Sequence, residues 1–214
     1  MIPKLHYISQ GNAPKEHLEN IQKACSSGAE LVQLCLKNIS EKKHLKLAKE
    51  AREITSYFQT RLIVYNDYKI ARAVKADGVH LETADTASMK ARIHLYTWQI
   101  IGGTAHTVQD CETLINEQVD YITLSPFSTS ATEEALAPAL GVLGYAAIID
   151  ALKTKTPIIG AGGITTKDVK DILATGVSGI GVSGEITRDF DVIKTFNQLL
   201  SASSTQEQRH TFES

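Results

Sequence analysis

The sequence lacks the segments that would place the chain in a membrane or direct it to secretion. Although 43% of its 214 residues are hydrophobic, no apolar run approaches the ~18 residues of a membrane-spanning helix. Residues 1–6 contain neither a long apolar core nor a small-residue cleavage site, so no signal peptide is expected. These absences predict a soluble cytoplasmic protein with no membrane partner.

Cysteine is scarce, and the charges are nearly balanced. Cys25, Cys35 and Cys111 show no CxxC spacing, so neither a zinc site nor a disulfide framework is indicated. The 22 basic and 24 acidic residues give a formal net charge of −2, and the basic residues are spread along the chain. We therefore expect no nucleic-acid partner. A small-molecule partner is expected instead, and a homo-oligomer is left open.

Short β-branched runs alternate with longer amphipathic stretches, a pattern typical of βα units and a parallel sheet. Eight such runs lie at residues 5–9, 31–35, 62–65, 78–81, 100–103, 121–125, 158–161 and 179–183. Helical spacing of apolar residues within 40–58 predicts one of the connecting helices. The pattern predicts an α/β fold, a single (β/α)8 TIM barrel over residues 1–202 with a polar, fraying tail at 203–214. A doubly wound open sheet is the structural alternative.

Two glycine-rich turns follow the seventh and eighth predicted strands, at residues 160–165 and 181–184. In (β/α) barrels, phosphate groups commonly bind at this position, because glycine lets backbone N–H groups approach the phosphate oxygens. Thr165 and Thr166 are expected to cap the helix that follows. The turns predict a phosphorylated substrate held by Gly163, Ser183 and Gly184. Tight turning alone is the simpler interpretation of these glycines.

Together with these turns, five further segments resemble the thiamin phosphate synthase and thiazole tautomerase superfamily, and most closely its thiamin phosphate synthases. They are residues 32–37, 65–67, 76–81, 102–107 and 120–127. The likeness runs in order from the first strand to about residue 200. It implies a transferase that joins hydroxymethylpyrimidine diphosphate to a thiazole phosphate and releases pyrophosphate. The resemblance also implies Mg²⁺, because the departing pyrophosphate needs a cation.

The resemblance assigns candidate roles to individual residues. Asp67 and Asp85 match the magnesium ligands, although each is also placed where an aspartate could cap a helix. Lys37 and Asn66 match contacts to the diphosphate. Thr104 and Gln33 match contacts to the pyrimidine, although either could be a satisfied polar residue inside the barrel. His106 is either an acid–base residue or structural.

Two positions depart from the family's pattern. Cys35 stands where the family has an arginine, and Glu133 stands where the family has a lysine in the loop after the sixth strand. Ser130 and Thr132 keep the hydroxyl groups of that loop and are candidate substrate contacts. A charge-assisted contact to a phosphate contributes roughly 1.5–3 kcal/mol, so the loss of two cations predicts a lower affinity for the diphosphate or a slower reaction.

Other functions remain open from the residues alone. A tautomerase-like isomerase would not need those cations, but the histidine of that branch falls at Pro126 here. A non-catalytic regulator that binds thiazole or thiamin phosphate and an unrelated phosphate-binding barrel enzyme are the remaining alternatives.

Overall fold

Eight parallel strands, connected by helices, close into a barrel. The computed structural model describes residues 2–82, 87–129 and 137–210, of which 87 and 203–210 are described by their backbone alone. The strands are β1 (Leu5–Ile8), β2 (Leu31–Leu34), β3 (Arg61–Tyr65), β4 (Gly78–Leu81), β5 (Ile100–Ala105), β6 (Tyr121–Leu124), β7 (Ile158–Ala161) and β8 (Gly179–Val182). The helices are α1 (Pro14–Ser26), α2 (Glu41–Tyr57), α3 (Tyr68–Ala73), α4 (Ala87–His94), α5 (Val108–Asn116), α6 (Gly141–Leu152), α7 (Val169–Ala174), α8 (Gly184–Arg188) and α9 (Val192–His210).

Each strand pairs with its neighbour in chain order, and β1 closes the barrel against β8, with Leu5 opposite Ile180. The TIM barrel predicted from the alternation of elements is therefore confirmed, and the open-sheet alternative is wrong. Within the described ranges, no helix is both long and apolar enough to cross a lipid bilayer.

The predicted strands agree with the observed ones except at their ends. β4 and β7 have the predicted bounds, β3 begins one residue earlier, and β5 extends two residues further to Ala105. The helix predicted over 40–58 is α2, flanked by Ser40 and Phe58. The boundary predicted at residues 202–203 falls within α9, so the division into a barrel and a separate tail stays a prediction.

The side chains of each strand alternate between an outer layer that faces the helices and an inner layer that fills the barrel. Tyr7 contacts the ring of Phe190, which precedes α9, so it faces the helices. The side chain of the preceding residue, His6, contacts Tyr121 across the barrel, with ring centroids 5.3 Å apart. Since β1 and β6 are not neighbours, this contact must pass through the interior. The inner layer is therefore partly polar and aromatic, which suits a barrel whose open end binds a polar ligand.

Ion pairs stabilise the end of the barrel where the strands begin. Arg52 of α2 pairs with Asp77 at 2.7 Å, and Asp77 also accepts the backbone N–H of Leu62 in β3. Arg92 of α4 pairs with Asp120 at 2.7 Å, and Asp120 accepts the N–H of Ile101 in β5. Each carboxylate ties a helix to the start of a strand. The loops that follow the strands lie at the opposite end of the barrel.

Candidate functional site

The two glycine-rich turns lie side by side at the end of the barrel where the strands finish. They line a single cavity of about 670 Å³, together with residues of the loop after β1 and the start of α8. Within the described part of the chain, no acceptor pairs with the backbone N–H of Gly163 or of Gly184. The structure thus brings together Gly163, Ser183 and Gly184 as predicted, with donors available to an anion.

Gly163 cannot readily be replaced, for two independent reasons. Its φ is +69°, in the region that side-chain-bearing residues rarely adopt, and a Cβ there would lie 2.2 Å from the Oγ of Ser128. Ser128 donates its Oγ–H to the carbonyl oxygen of Gly163 at 2.8 Å, and its N–H to that of Gly162 at 3.0 Å. The loop after β6 is therefore fastened to the first glycine turn.

That loop leads to further predicted residues. Ser130 and Thr132, and also Glu133, lie outside the described residues, so their contacts stay predictions. Asp85, the second predicted magnesium ligand, also lies outside them.

The predicted helix cap after the first glycine turn is wrong. α7 begins at Val169, with Asp168 at its N-cap, because residues 166–168 form a turn before the helix. Thr165 instead donates both its N–H and its Oγ1–H to the carboxylate of Asp168, at 2.8 and 2.7 Å. Thr165 lines the cavity, so this pairing fixes the wall beside the turn.

A second group of polar residues lies at the ends of β2, β3 and β4. The Nζ of Lys37 is 3.3 Å from Glu82 Oε1 and 5.2 Å from the centroid of the Tyr65 ring. A hydrogen bond from the Tyr65 hydroxyl and the charge of Lys37 lower the pKa of Glu82. Lys37 therefore already has an anionic partner, and its contact to the diphosphate stays a prediction.

Sequence reasoning missed Glu82 and Tyr65. A charged residue directly after β4 was the available signal for Glu82, since side chains in that position of a parallel barrel reach the open end. For Tyr65, the last residue of β3, the sequence offers no comparable signal, because a buried aromatic is ordinary in a strand.

Asp67 caps a helix, as one of its two interpretations predicted. Its Oδ1 accepts the backbone N–H of Ile70 at 2.9 Å at the start of α3. The preceding Asn66 has a φ of +56°, and its N–H donates to the carbonyl of His80. No group of three or more metal-ligating side chains lies among the described residues, which do not include Asp85. The magnesium role of Asp67 therefore stays a prediction.

The predicted pyrimidine contacts lie deeper in the barrel. Gln33 is 5% exposed on β2. Thr104, half-buried on β5, is 2.9 Å from Nε2 of His80, and Nδ1 of His80 is 3.1 Å from the hydroxyl of Tyr121. His80 and Tyr121 occur in the segments that carry the resemblance, but sequence reasoning gave them no role, because their contact depends on strand register and inward orientation.

His106 is held by two hydrogen bonds within the protein. Its Nδ1 donates to the carbonyl oxygen of Ser125 at 2.7 Å, and its backbone N–H donates to the carboxylate of Asp110 at 2.9 Å. The first contact joins the end of β5 to the end of β6, and the second joins it to the start of α5. Of its two interpretations, the structural one fits these contacts.

Comparison with known proteins identifies the family. Residues 5–186 match the family model described as "Thiamine monophosphate synthase". A "Thiamine-phosphate synthase" of Flavobacterium johnsoniae is 37% identical over 208 residues, covering 94% of this chain and 98% of that protein. The corresponding protein of Flavobacterium psychrophilum is 38% identical over 202 residues, covering 93% and 98%. A solved "Thiamine phosphate pyrophosphorylase" of Pyrococcus furiosus superposes with a TM-score of 0.80 at 24% identity, covering 93% of this chain and 96% of that one. The chain therefore belongs to the thiamine monophosphate synthase family.

Proposed function

We propose that this chain is a thiamin phosphate synthase. It joins hydroxymethylpyrimidine diphosphate to thiazole phosphate and releases pyrophosphate. The observation that carries the proposal is the pair of glycine turns, whose N–H groups have no acceptor among the described residues and line one cavity in a chain of this family. The polar strand ends from β2 to β5 complete the same end of the barrel.

Thiazole phosphate would bind at the glycine turns. The N–H groups of Gly163 and Gly184 can donate to its phosphate oxygens, and Ser183 adds a hydroxyl on the same wall. Backbone donors suit this role because they are already fixed by the barrel and need no reordering. The phosphate would thereby hold the thiazole ring within reach of the pyrimidine.

The diphosphate would bind on the other side, at the ends of β2 and β3. Lys37 and Asn66 are the donors that match the family there. The C–O bond between the pyrimidine methylene and the diphosphate breaks with its electrons leaving on pyrophosphate, and the lone pair of the thiazole nitrogen then forms the new C–N bond. The protein's part is to orient both reactants and to stabilise the leaving group.

The carboxylate of Asp67 is a donor that suits Mg²⁺. The capping bond to Ile70 fixes the carboxylate of Asp67 at the end of β3, and a carboxylate is a ligand that this cation prefers. Asp67 and Asp85 would hold the ion, which when bound neutralises charge on the departing pyrophosphate. Cys35 and Glu133 replace two cations of the family pattern, so we expect this chain to depend strongly on Mg²⁺.

The test is to incubate the purified full chain with Mg²⁺ and both precursors, and to quantify thiamin phosphate and pyrophosphate. Equimolar formation of the two products, abolished by a chelator, is expected. A reaction without thiazole phosphate controls for hydrolysis of the diphosphate. No thiamin phosphate at high enzyme concentration would reject the proposal. Proton exchange on thiazole carboxylate phosphate would then indicate an isomerase, and tight binding without turnover a regulator.

A further inference from the structure

Three side chains from adjacent strands form a hydrogen-bonded chain through the barrel interior. Tyr121 at the start of β6 contacts Nδ1 of His80 on β4, and Nε2 of His80 contacts the hydroxyl of Thr104 on β5. Tyr121 is 0% and His80 3% exposed. The strand between them makes room, because a Cβ on Gly102 would lie 2.1 Å from the Tyr121 ring. The half-buried Thr104 is the end of the chain nearest the mouth.

The chain contains three mobile protons, and only one arrangement satisfies the buried ones. If Nδ1 of His80 carried the ring proton, it would donate to Tyr121, and the phenolic proton of Tyr121 would have no acceptor among the described residues. Leaving such a buried donor unpaired costs about 1–3 kcal/mol. In the other tautomer, Tyr121 donates to Nδ1 and Nε2–H donates to Thr104. That arrangement satisfies every buried proton.

The surroundings favour a neutral imidazole. Burial, followed by the neighbouring His6, lowers the pKa of His80 to about 3, against a smaller opposing effect of Glu82. Burial also raises the pKa of Tyr121, with a further contribution from Asp120. The phenol therefore keeps its proton and the imidazole carries only one. The direction of the hydrogen bonds is thus set by the geometry, and it does not reverse near neutral pH.

We infer that Tyr121 and His80 are positioning residues that make Thr104 a hydrogen-bond donor to the ligand. Because the Thr104 oxygen already accepts from His80, its own proton is free to point into the mouth. The ligand atom that receives this proton must offer a lone pair, as a ring nitrogen of an uncharged heteroaromatic does. This identification of the ligand rests on the proposed function, under which that ring is the pyrimidine. The tautomer of His80 does not depend on it.

The first test is made on the full wild-type chain without substrate. Nitrogen-15 spectra of the seven histidine side chains, with His80 assigned by loss of its signals in His80→Gln, distinguish the two tautomers. We expect a protonated Nε2 and an unprotonated Nδ1. A protonated Nδ1 would overturn the inference. In Tyr121→Phe the proton is expected to move to Nδ1 in part or wholly, whereas Tyr145→Phe, another buried tyrosine, should leave the His80 signals in place.

The second test compares Thr104→Val with Thr104→Ser in the condensation assay. Valine keeps the shape and removes the donor, so the KM for the pyrimidine diphosphate should rise about tenfold, the value of one hydrogen bond of ~1.4 kcal/mol. The KM for thiazole phosphate should change little, and serine should recover most of the loss. Tyr121→Phe should raise the same KM without changing the other.

The outcomes separate the two proposals. A wild-type chain that makes no thiamin phosphate rejects the proposed function, while the His80 spectra still decide the tautomer. An active wild type in which Thr104→Val and Thr104→Ser have equal KM values rejects the donor role of Thr104 and leaves the function standing.

Discussion

The hydroxyl of Tyr145 accepts a hydrogen bond from the backbone N–H of Ala161 at 3.0 Å, and it donates to the carbonyl oxygen of Leu124. A side chain of α6 thus bridges the ends of β6 and β7, immediately before the first glycine turn. The residue is fully buried, and burial raises the pKa of its hydroxyl, so the group stays protonated. This tyrosine sets the spacing of two strands from which parts of the site emerge.

Tyr145→Phe tests this bridge. The change keeps the ring but leaves the Ala161 N–H and the Leu124 carbonyl without their partner, so the free energy of unfolding should fall by about 1–3 kcal/mol. Urea denaturation followed by circular dichroism measures it. Tyr57→Phe is the matched control, because Tyr57 is 83% exposed. Equal stability of the two variants would contradict the role given to Tyr145.

Gly163→Ala should weaken phosphate binding. The added methyl group meets Ser128 and an unfavourable φ, which costs about 1–3 kcal/mol, or displaces the turn. We expect at least about a tenfold loss of affinity for thiazole phosphate, measured by calorimetry. Gly28→Ala is the control for backbone strain alone, since its φ is +97° and no atom lies within 4 Å of the added Cβ. Unchanged binding by Gly163→Ala would show that the ligand does not use this turn.

Glu82→Gln should strengthen pyrophosphate binding. The substitution removes the negative charge 3.3 Å from Lys37 and leaves the lysine free for the ligand. Because the pair is partly exposed, the gain should be modest, roughly two- to fivefold, in calorimetric titrations with magnesium pyrophosphate. Glu50→Gln, which removes the exposed partner of Lys46 on α2, should have no effect. Weaker binding by Glu82→Gln would mean that Glu82 itself contributes to ligand binding.

The buried histidines predict a loss of stability in mild acid. Burial lowers the pKa of His6 to about 4, whereas in the unfolded chain a histidine titrates near 6.5. At a pH between these two pKa values, the unfolded chain binds a proton at His6 and the folded chain does not. The free energy of unfolding should therefore fall as the pH drops from about 6.5 towards 4, by at most about 1.4 kcal/mol per pH unit for each such group.

His6→Gln should reduce that slope, because it removes one of the titrating groups. Urea denaturation at several pH values between 4.5 and 7 measures the slope, and His94→Gln on the exposed face of α4 is the control. An unchanged slope in His6→Gln would mean that the folded protein admits the proton.

The architecture could be predicted because each strand and helix has a recognisable hydrophobic pattern within its own segment. The alternation of apolar runs with amphipathic stretches identified all eight strands, and errors were confined to one or two residues at their ends, where hydrogen bonding rather than composition decides. The glycine turns were found because they follow particular strands. Asp67 could not be decided, since capping and metal binding both favour aspartate after a strand.

Contacts between distant strands could not be predicted. His80 and Tyr121 are 41 positions apart, and their meeting depends on barrel closure, strand register and the space left by Gly102. The pairing of Lys37 with Glu82 likewise required knowing that the ends of β2 and β4 reach one another across Tyr65. Such relationships are properties of the assembled barrel, whereas sequence motifs describe only the segments.

Trp98, the only tryptophan of the chain, stacks on Tyr96 in the segment before β5. Segments that precede strands lie at the end of the barrel opposite the mouth, so the indole is remote from both glycine turns. The indole is also 54% exposed, so its intrinsic fluorescence is expected to respond little to ligand binding. A titration followed by tryptophan fluorescence therefore calls for a tryptophan introduced at the mouth.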